Sequence, residues 1–206
     1  MPITTVGFAE DFSDFAPMAE RAVSDDAAAM MRFRAGGGHL AGFVRLPFDV
    51  LAGRTVVFGR PDSFDLTVAA ADFLLWIDGG GPEPARRDAH WLSALPPRAG
   101  WERVESVPDG VIRDLIRASS EVAQRASTRS EQESLLASTV LSASSASRTV
   151  EVPLGPLTAL TRMGFLPRGT SVGVDVRGAW TRLAAKYGST FVTRGATSPG
   201  VLGLPL

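Results

Sequence analysis

A chain of 206 residues, 45% hydrophobic and 21% charged, holds enough apolar matter for one compact domain or two small packed halves, and too much for a disordered coil. With no cysteine, it forms no disulfide, cysteine-ligated zinc site, iron–sulfur cluster or thiol nucleophile. The net charge of −1 conceals an asymmetry: residues 1–105 carry 15 acids against 10 bases, most of the excess before Ala29, and residues 106–206 carry 7 against 11, short of a dedicated nucleic-acid surface.

Phe8, Phe12, Phe15, Ala19 and Ala22 recur at helical spacing and predict an amphipathic helix over 9–23, starting near Pro17 or kinked there. Residues 31–34 alternate with period two, end in Gly36-Gly37-Gly38 and are followed by the run 40–46. That is the pattern of a β-hairpin. No Gly-Lys-Ser/Thr and no helix start follows the glycines, so they do not read as a phosphate loop. A short helix is expected over 47–53, strands over 55–58 and 65–68, and a helix over 69–78 with Phe73, Leu74, Trp76 and Ile77 as its apolar body. Residues 79–100 are rich in glycine and proline, with Arg86, Arg87, Asp88 and His90 among them, and read as a linker or a lid.

Residues 101–104 are expected to form a strand. Ser106-Val107-Pro108-Asp109 has the form of a helix start, opening a helix over 107–126. Ser130-x-x-Glu133 reads as a capping box for a second helix, 131–137. Strands over 139–141 and 148–152 flank a serine-rich turn, a short helix follows Pro156, and 172–176 alternates as a strand. Residues 180–184 and 190–193 form a hairpin across Lys186-Tyr187-Gly188. The tail, 195–206, has no periodicity and is expected to be flexible.

One phrase occurs twice: Arg98-Ala99-Gly100-Trp101-Glu102-Arg103-Val104 and Arg177-Gly178-Ala179-Trp180-Thr181-Arg182-Leu183, which spend two of the four tryptophans. Thr55-Val56-Val57 and Thr139-Val140-Leu141 lie 84 positions apart, as do Thr67-Val68 and Glu151-Val152; the tryptophans lie 79 apart, so the second loop is shorter. The order strand, turn, strand, helix, loop, Trp-bearing strand points to an internal duplication. The expected fold is α+β: two pseudo-repeated β-hairpin/helix/strand halves with mainly antiparallel sheet and a middle helical segment. Residues 1–105 form an N-terminal half with an acidic N-terminal helix. Residues 106–194 form a C-terminal half beginning with helices 107–126 and 131–137, and 195–206 is a flexible tail.

Tryptophan and the following arginine are two apart on a strand and share a face. The commonest use of such a pair is a core anchor with the arginine stem laid along the ring. Arg98, Trp101, Arg103, Arg177, Trp180 and Arg182 would also serve a basic-aromatic surface for single-stranded nucleic acid, or an anionic ligand near a pseudo-twofold axis. Asp88 and His90 place a carboxylate near an imidazole and are weak catalytic candidates; the plainer reading is a loop histidine beside Trp91. Asp62 and Asp65 sit where turns favour aspartate. No set of spaced ligands indicates a metal, and no Gly-x-Ser-x-Gly, Rossmann or Walker pattern occurs. A helix-turn-helix over 107–163 with 172–193 as a wing has only Arg162 as a base on its second helix.

Leu95-Pro96-Pro97-Arg98, Gly100-Trp101 and Met163-Gly164-Phe165-Leu166-Pro167 resemble phrases in hypothetical proteins of high-GC actinobacteria, a resemblance that implies no activity. Twenty arginines against one lysine, and no asparagine, fit a GC-rich coding sequence. The residues 1–17 contain Glu10, Asp11 and Asp14 and no base, unlike a secretory n-region. The run 73–77 is far too short to cross a bilayer. The expectation is a cytoplasmic, non-enzymatic protein-interaction or regulatory module with a protein partner, no cofactor and no membrane contact, able to form homo-oligomers. The alternatives are a nucleic-acid binder using the basic C-terminal half, and a ligand-binding protein or enzyme with its site in the 86–103 loop.

Overall fold

The computed structural model describes residues 9–47, 49–60, 63–123 and 128–193. Phe8, Asp62, the end of the first middle helix and the tail 195–206 lie outside them.

The chain begins with a helical turn α1 (Ala9–Phe12), a 3-10 turn (Ser13–Phe15) and helix α2 (Ala16–Asp25). Pro17 lies in the first turn of α2, where its missing N–H costs no hydrogen bond; the helix starts there. Strands β1 (Met30–Gly36) and β2 (His39–Arg45) form the expected hairpin, followed by β3 (Leu51–Val57), β4 (Asp65–Ala69) and helix α3 (Ala70–Ile77). Beyond a long loop come β5 (Glu102–Pro108), α4 (Asp109–Ala123), α5 (Arg129–Ala137), the hairpin β6 (Thr139–Ser145) and β7 (Arg148–Pro153), and α6 (Leu154–Arg162). Strands β8 (Ser171–Arg177), β9 (Trp180–Ala184) and β10 (Ser189–Thr193) complete the fold.

Three expectations are corrected. Leu51, Ala52 and Gly53 are strand, not helix, because they pair with β2 on one side and β10 on the other. Ser106, Val107 and Pro108 finish β5 opposite Gly173, Val172 and Ser171, so α4 starts at Asp109, whose carboxylate takes Arg113 at 3.2 Å and the Gly169 N–H at 3.1 Å. The capping box of α5 is Thr128 with Glu131, not Ser130 with Glu133; Glu133 instead pairs with Arg129 at 2.9 Å. In each case tertiary partners outweigh local propensity.

The main sheet runs β4-β1-β2-β3-β10-β9-β8-β5, and the neighbours within it are antiparallel. Read from either edge inward it gives the same architecture: an edge strand that leads into a helix (β4–α3, β5–α4), a hairpin (β1–β2, β8–β9) and a central strand (β3, β10), the two central strands meeting in the middle. Gly37 and Gly178 hold the matching hairpin turns at φ 64° and 56°. The protein is thus α+β with two pseudo-repeated halves, but the matched elements differ from those the sequence spacing suggested. β6 and β7 form a separate two-stranded sheet, whereas β3 pairs with β2 and β10 and β4 with β1. Trp101 precedes an edge strand and Trp180 opens an interior one.

Alternation along the strands sorts the two faces. Met31, Phe33 and Ala35 of β1 are buried with Phe12, Phe15, Phe73, Ile112 and Leu157 from the helical side. Phe12 meets Phe33 edge-on at 5.1 Å and Trp76 at 5.7 Å. Gly42 is required by this packing, since a Cβ there would stand 2.6 Å from the Phe15 ring. The opposite sheet face carries a smaller cluster of Phe43, Leu51, Trp91 and Phe191. Among the described residues no helix is long and apolar enough to cross a membrane.

Phe12→Ala should lower the unfolding free energy by about 3–5 kcal/mol and Gly42→Ala by about 1–3 kcal/mol, both measured by urea denaturation.

Candidate functional site

The two halves of the sheet meet over three residue pairs: Leu51 with Phe191, Ala52 with Thr190 and Gly53 with Ser189. β3 then continues to Val57, while β10 begins at Ser189. From Arg54 to Val57, β3 keeps β2 on one side, from Gly42↔Arg54 to His39↔Val57, and among the described residues has no strand paired on the other. A groove of about 500 Å³ opens here, bounded by the 185–188 turn and the 96–98 segment. Ala41, Phe43, Trp101 and Phe191 supply its apolar lining, and Arg34, Arg54, Arg98, Arg182 and Lys186 its charge. Among the described residues no Asp or Glu lines it.

Two of these cations stand apart. Arg34 points from β1 onto the open face, donates to the Pro96 carbonyl at 3.0 Å and lies 5.5 Å over the Phe43 ring. Burial and then the like charge of Arg98 hold its guanidinium below the ordinary arginine pKa. Arg98 donates to the Ala35 carbonyl at 3.3 Å and lies over Gly36, where a Cβ would be 2.6 Å from Nη1. Among the described residues neither Arg34 nor Arg98 forms an ion pair. Arg54 is paired with Asp14 at 2.6 Å and Arg182 with Asp175 at 2.6 Å. Exposed Lys186 lies 5.4 Å over Tyr187, and His39 Nδ1 is 2.9 Å from the Gly37 carbonyl.

Of the six residues singled out in the twin phrases, Arg98, Trp101 and Arg182 line the groove. The phrases converge through Asp175, a carboxylate only 2% exposed on β8. One of its oxygens takes Arg103 Nε, and the other takes Arg182 Nε at 2.8 Å and Nη2 at 2.6 Å. Gly173 makes room, since a Cβ there would collide with the Arg103 guanidinium. Arg182 in turn lies 4.6 Å over Trp101, which leans on Phe191 at 5.8 Å. Trp180 packs against the same small cluster. Arg177 lies outside the groove lining with its guanidinium over Gly100.

Asp88 and His90 are not brought together as an acid–base pair. Asp88 accepts the Thr67 N–H at 2.7 Å and pairs with Arg86. Arg86 donates to the Asp65 carbonyl at 2.6 Å, and the Arg87 N–H donates to the Thr67 carbonyl at 2.7 Å. The 86–88 segment therefore closes the outer edge of β4, while His90 is exposed. Asp65 is tied to Arg32 at 2.6 Å, which raises the Arg32 pKa. The helix-turn-helix reading is overturned: the β6–β7 hairpin separates α5 from α6, and Leu157 and Leu160 of α6 are in the core. The bases of the second half are largely spent, Arg113 on Asp109, Arg117 on Asp114, Arg148 on Glu102 and Arg162 on Asp25. Arg34, Arg54 and Lys186 were absent from the sequence-derived site. Strand alternation could have placed Arg34 on the open face, but nothing local links it to Arg98.

Asp175→Ala leaves two guanidiniums competing for solvent and should cost about 1–3 kcal/mol of stability in chemical denaturation. Asp88→Ala should cost about 1 kcal/mol and speed aggregation measured by light scattering, because it unlocks the β4 edge.

Residues 4–93 match the family described as "Domain of unknown function (DUF8010)", and residues 96–197 the family described as "Domain of unknown function (DUF8185)". No curated protein matches the sequence. Among solved structures, the DNA polymerase sliding clamp from Bacillus subtilis is similar with a TM-score of 0.59 and 14% identity, over 90% of this chain and 63% of that one. The DNA polymerase III subunit beta from Pseudomonas aeruginosa gives 0.58 and 11%, over 87% and 62%. The Helicobacter pylori beta clamp bound to a DNA ligase peptide gives 0.57 and 10%, over 90% and 64%. The chain spans less than two thirds of the length of these clamps, and at such identities the likeness is one of fold: a sliding-clamp-like architecture.

Proposed function

We propose that the chain is a non-enzymatic docking module of the cytoplasm that holds a segment of a partner protein in the groove at the centre of its sheet. The observation that carries this reading is the length mismatch between β3 and β10. Among the described residues it leaves the backbone of residues 54–57 without a strand on one side, next to an apolar lining of Phe43, Trp101 and Phe191. Unpaired strand backbone recruits another polypeptide, which supplies the missing hydrogen bonds, and apolar side pockets add affinity. The fold likeness supports the reading, since one clamp of this architecture was solved with a DNA ligase peptide bound. The groove's charge also fits nucleic acid, but its rings do not fit base stacking. Arg182 lies over Trp101, Arg34 over Phe43 and Lys186 over Tyr187, whereas a single-strand platform needs free ring faces.

A random-peptide display selection tests the reading. Peptides enriched on the wild-type chain should lose at least about tenfold in affinity, or roughly 1.4 kcal/mol, for Thr55→Trp, which fills the groove from an exposed position. No enrichment over that variant would overturn it.

A further inference from the structure

We infer that the segment held in this groove is acidic, and that its carboxylates are received between Arg34 and Arg98 at one end and by Lys186 at the other. The inference rests on the docking reading above and adds the chemistry of the occupant.

The argument starts from charge. Among the described residues, five cations and no acid line the groove, and of those five only Arg54 and Arg182 have carboxylate partners. Arg34 and Arg98 are held side by side by backbone carbonyls, those of Pro96 and Ala35. A carbonyl accepts a hydrogen bond but cancels no charge. Each guanidinium has five N–H donors in a planar fork, and among the described residues each makes one hydrogen bond, which leaves the rest of the fork to a ligand. Two adjacent like charges, one of them half-buried, repel each other at a cost that an incoming oxyanion removes. A planar fork matches a carboxylate bidentately.

Geometry narrows the oxyanion's carrier. Arg34 and Thr55 both lie opposite Ala41 of β2, and Lys186 lies in the turn before β10. The backbone of residues 54–57, without a strand partner on its β10 side among the described residues, thus has basic side chains to either side and matches the amide groups of a peptide. A nucleic acid has no peptide backbone to pair with that edge, and a cation already lies over Phe43, Trp101 and Tyr187 in turn. The helical segment of residues 10–26 carries six acids and one base. Asp11, Asp14 and Asp25 are offset by Arg60, Arg54 and Arg162, which leaves Glu10, Glu20 and Asp26 as its net negative charge against Arg21. A polyanionic ligand is therefore steered away from that side and towards the groove.

Fluorescence anisotropy on the full chain tests this with three labelled probes: a blocked peptide of alternating glutamate and valine, its glutamine counterpart, and an oligothymidylate of equal length. The glutamate peptide should bind with an affinity that falls as salt rises. The glutamine peptide should bind at least about tenfold more weakly. Arg34→Gln and Arg98→Gln should each weaken the glutamate peptide about tenfold, consistent with loss of a charge-assisted hydrogen bond. Lys186→Gln, in an exposed turn, should weaken it several-fold, and it gives a folded variant should Arg34→Gln unfold, which thermal melting reports. Equal binding of the two peptides, tighter binding of oligothymidylate, or no binding of the glutamate peptide would overturn the inference. If display then still enriches peptides without an acidic excess, the docking reading stands and only the chemistry of its occupant is wrong; if display enriches none, both fall.

Discussion

Everything on the open face follows from the short seam between β3 and β10. Three pairs of residues, Leu51–Phe191, Ala52–Thr190 and Gly53–Ser189, join two four-stranded halves into one sheet. The seam is clamped from both sides. On the helical side α6 lies against β10, with the Thr190 hydroxyl donating to the Pro156 carbonyl at 3.0 Å. On the other side Phe43 and Phe191 approach to 6.1 Å above Gly53, where a Cβ would be 2.7 Å from Phe43. A seam this short cannot zip the whole of β3, so the place where the halves join is also the place where the sheet opens.

The two faces carry different charge for structural reasons. The acids of the N-terminal helical segment are not simply a solvated stripe: Asp11 pairs with Arg60 at 2.9 Å, Asp14 with Arg54 at 2.6 Å, and Asp25 with Arg162. They tie that segment to both halves of the molecule. On the sheet face the arginines are arranged differently. Arg103 and Arg182 share one carboxylate, Asp175, and Arg34 and Arg98 rest on backbone oxygens. Fixing cations without matching anions leaves a positive potential where the lining is partly desolvated.

Much of the architecture was legible from periodicity. The alternation through Met31 and Phe33, the glycine turn and the matching runs near the C-terminus gave the hairpins, and the apolar body of Phe73 and Trp76 gave α3. What failed were boundaries decided by distant partners. Leu51–Gly53 and Ser106–Pro108 carry no strand signature of their own and become strand because β10 and β8 lie beside them. The repeated tryptophan phrase was a true signal with a different meaning: its arginines, Arg103 and Arg182, converge on Asp175 instead of marking equivalent strands. The groove was only half visible. Arg98, Trp101 and Arg182 could be named from the phrase, but Arg34 and Lys186 join them only through sheet order, which no local window contains.

The closure of β4 by the 86–88 segment has a consequence for how the molecule meets others of its kind. A sheet whose rim is open can be extended by any extended chain that collides with it, and growth of that sort has no natural end. Here the Asp88 carboxylate and the Arg87 amide occupy Thr67's outward N–H and carbonyl. The loop thus acts as a stopper that keeps the array finite on that flank.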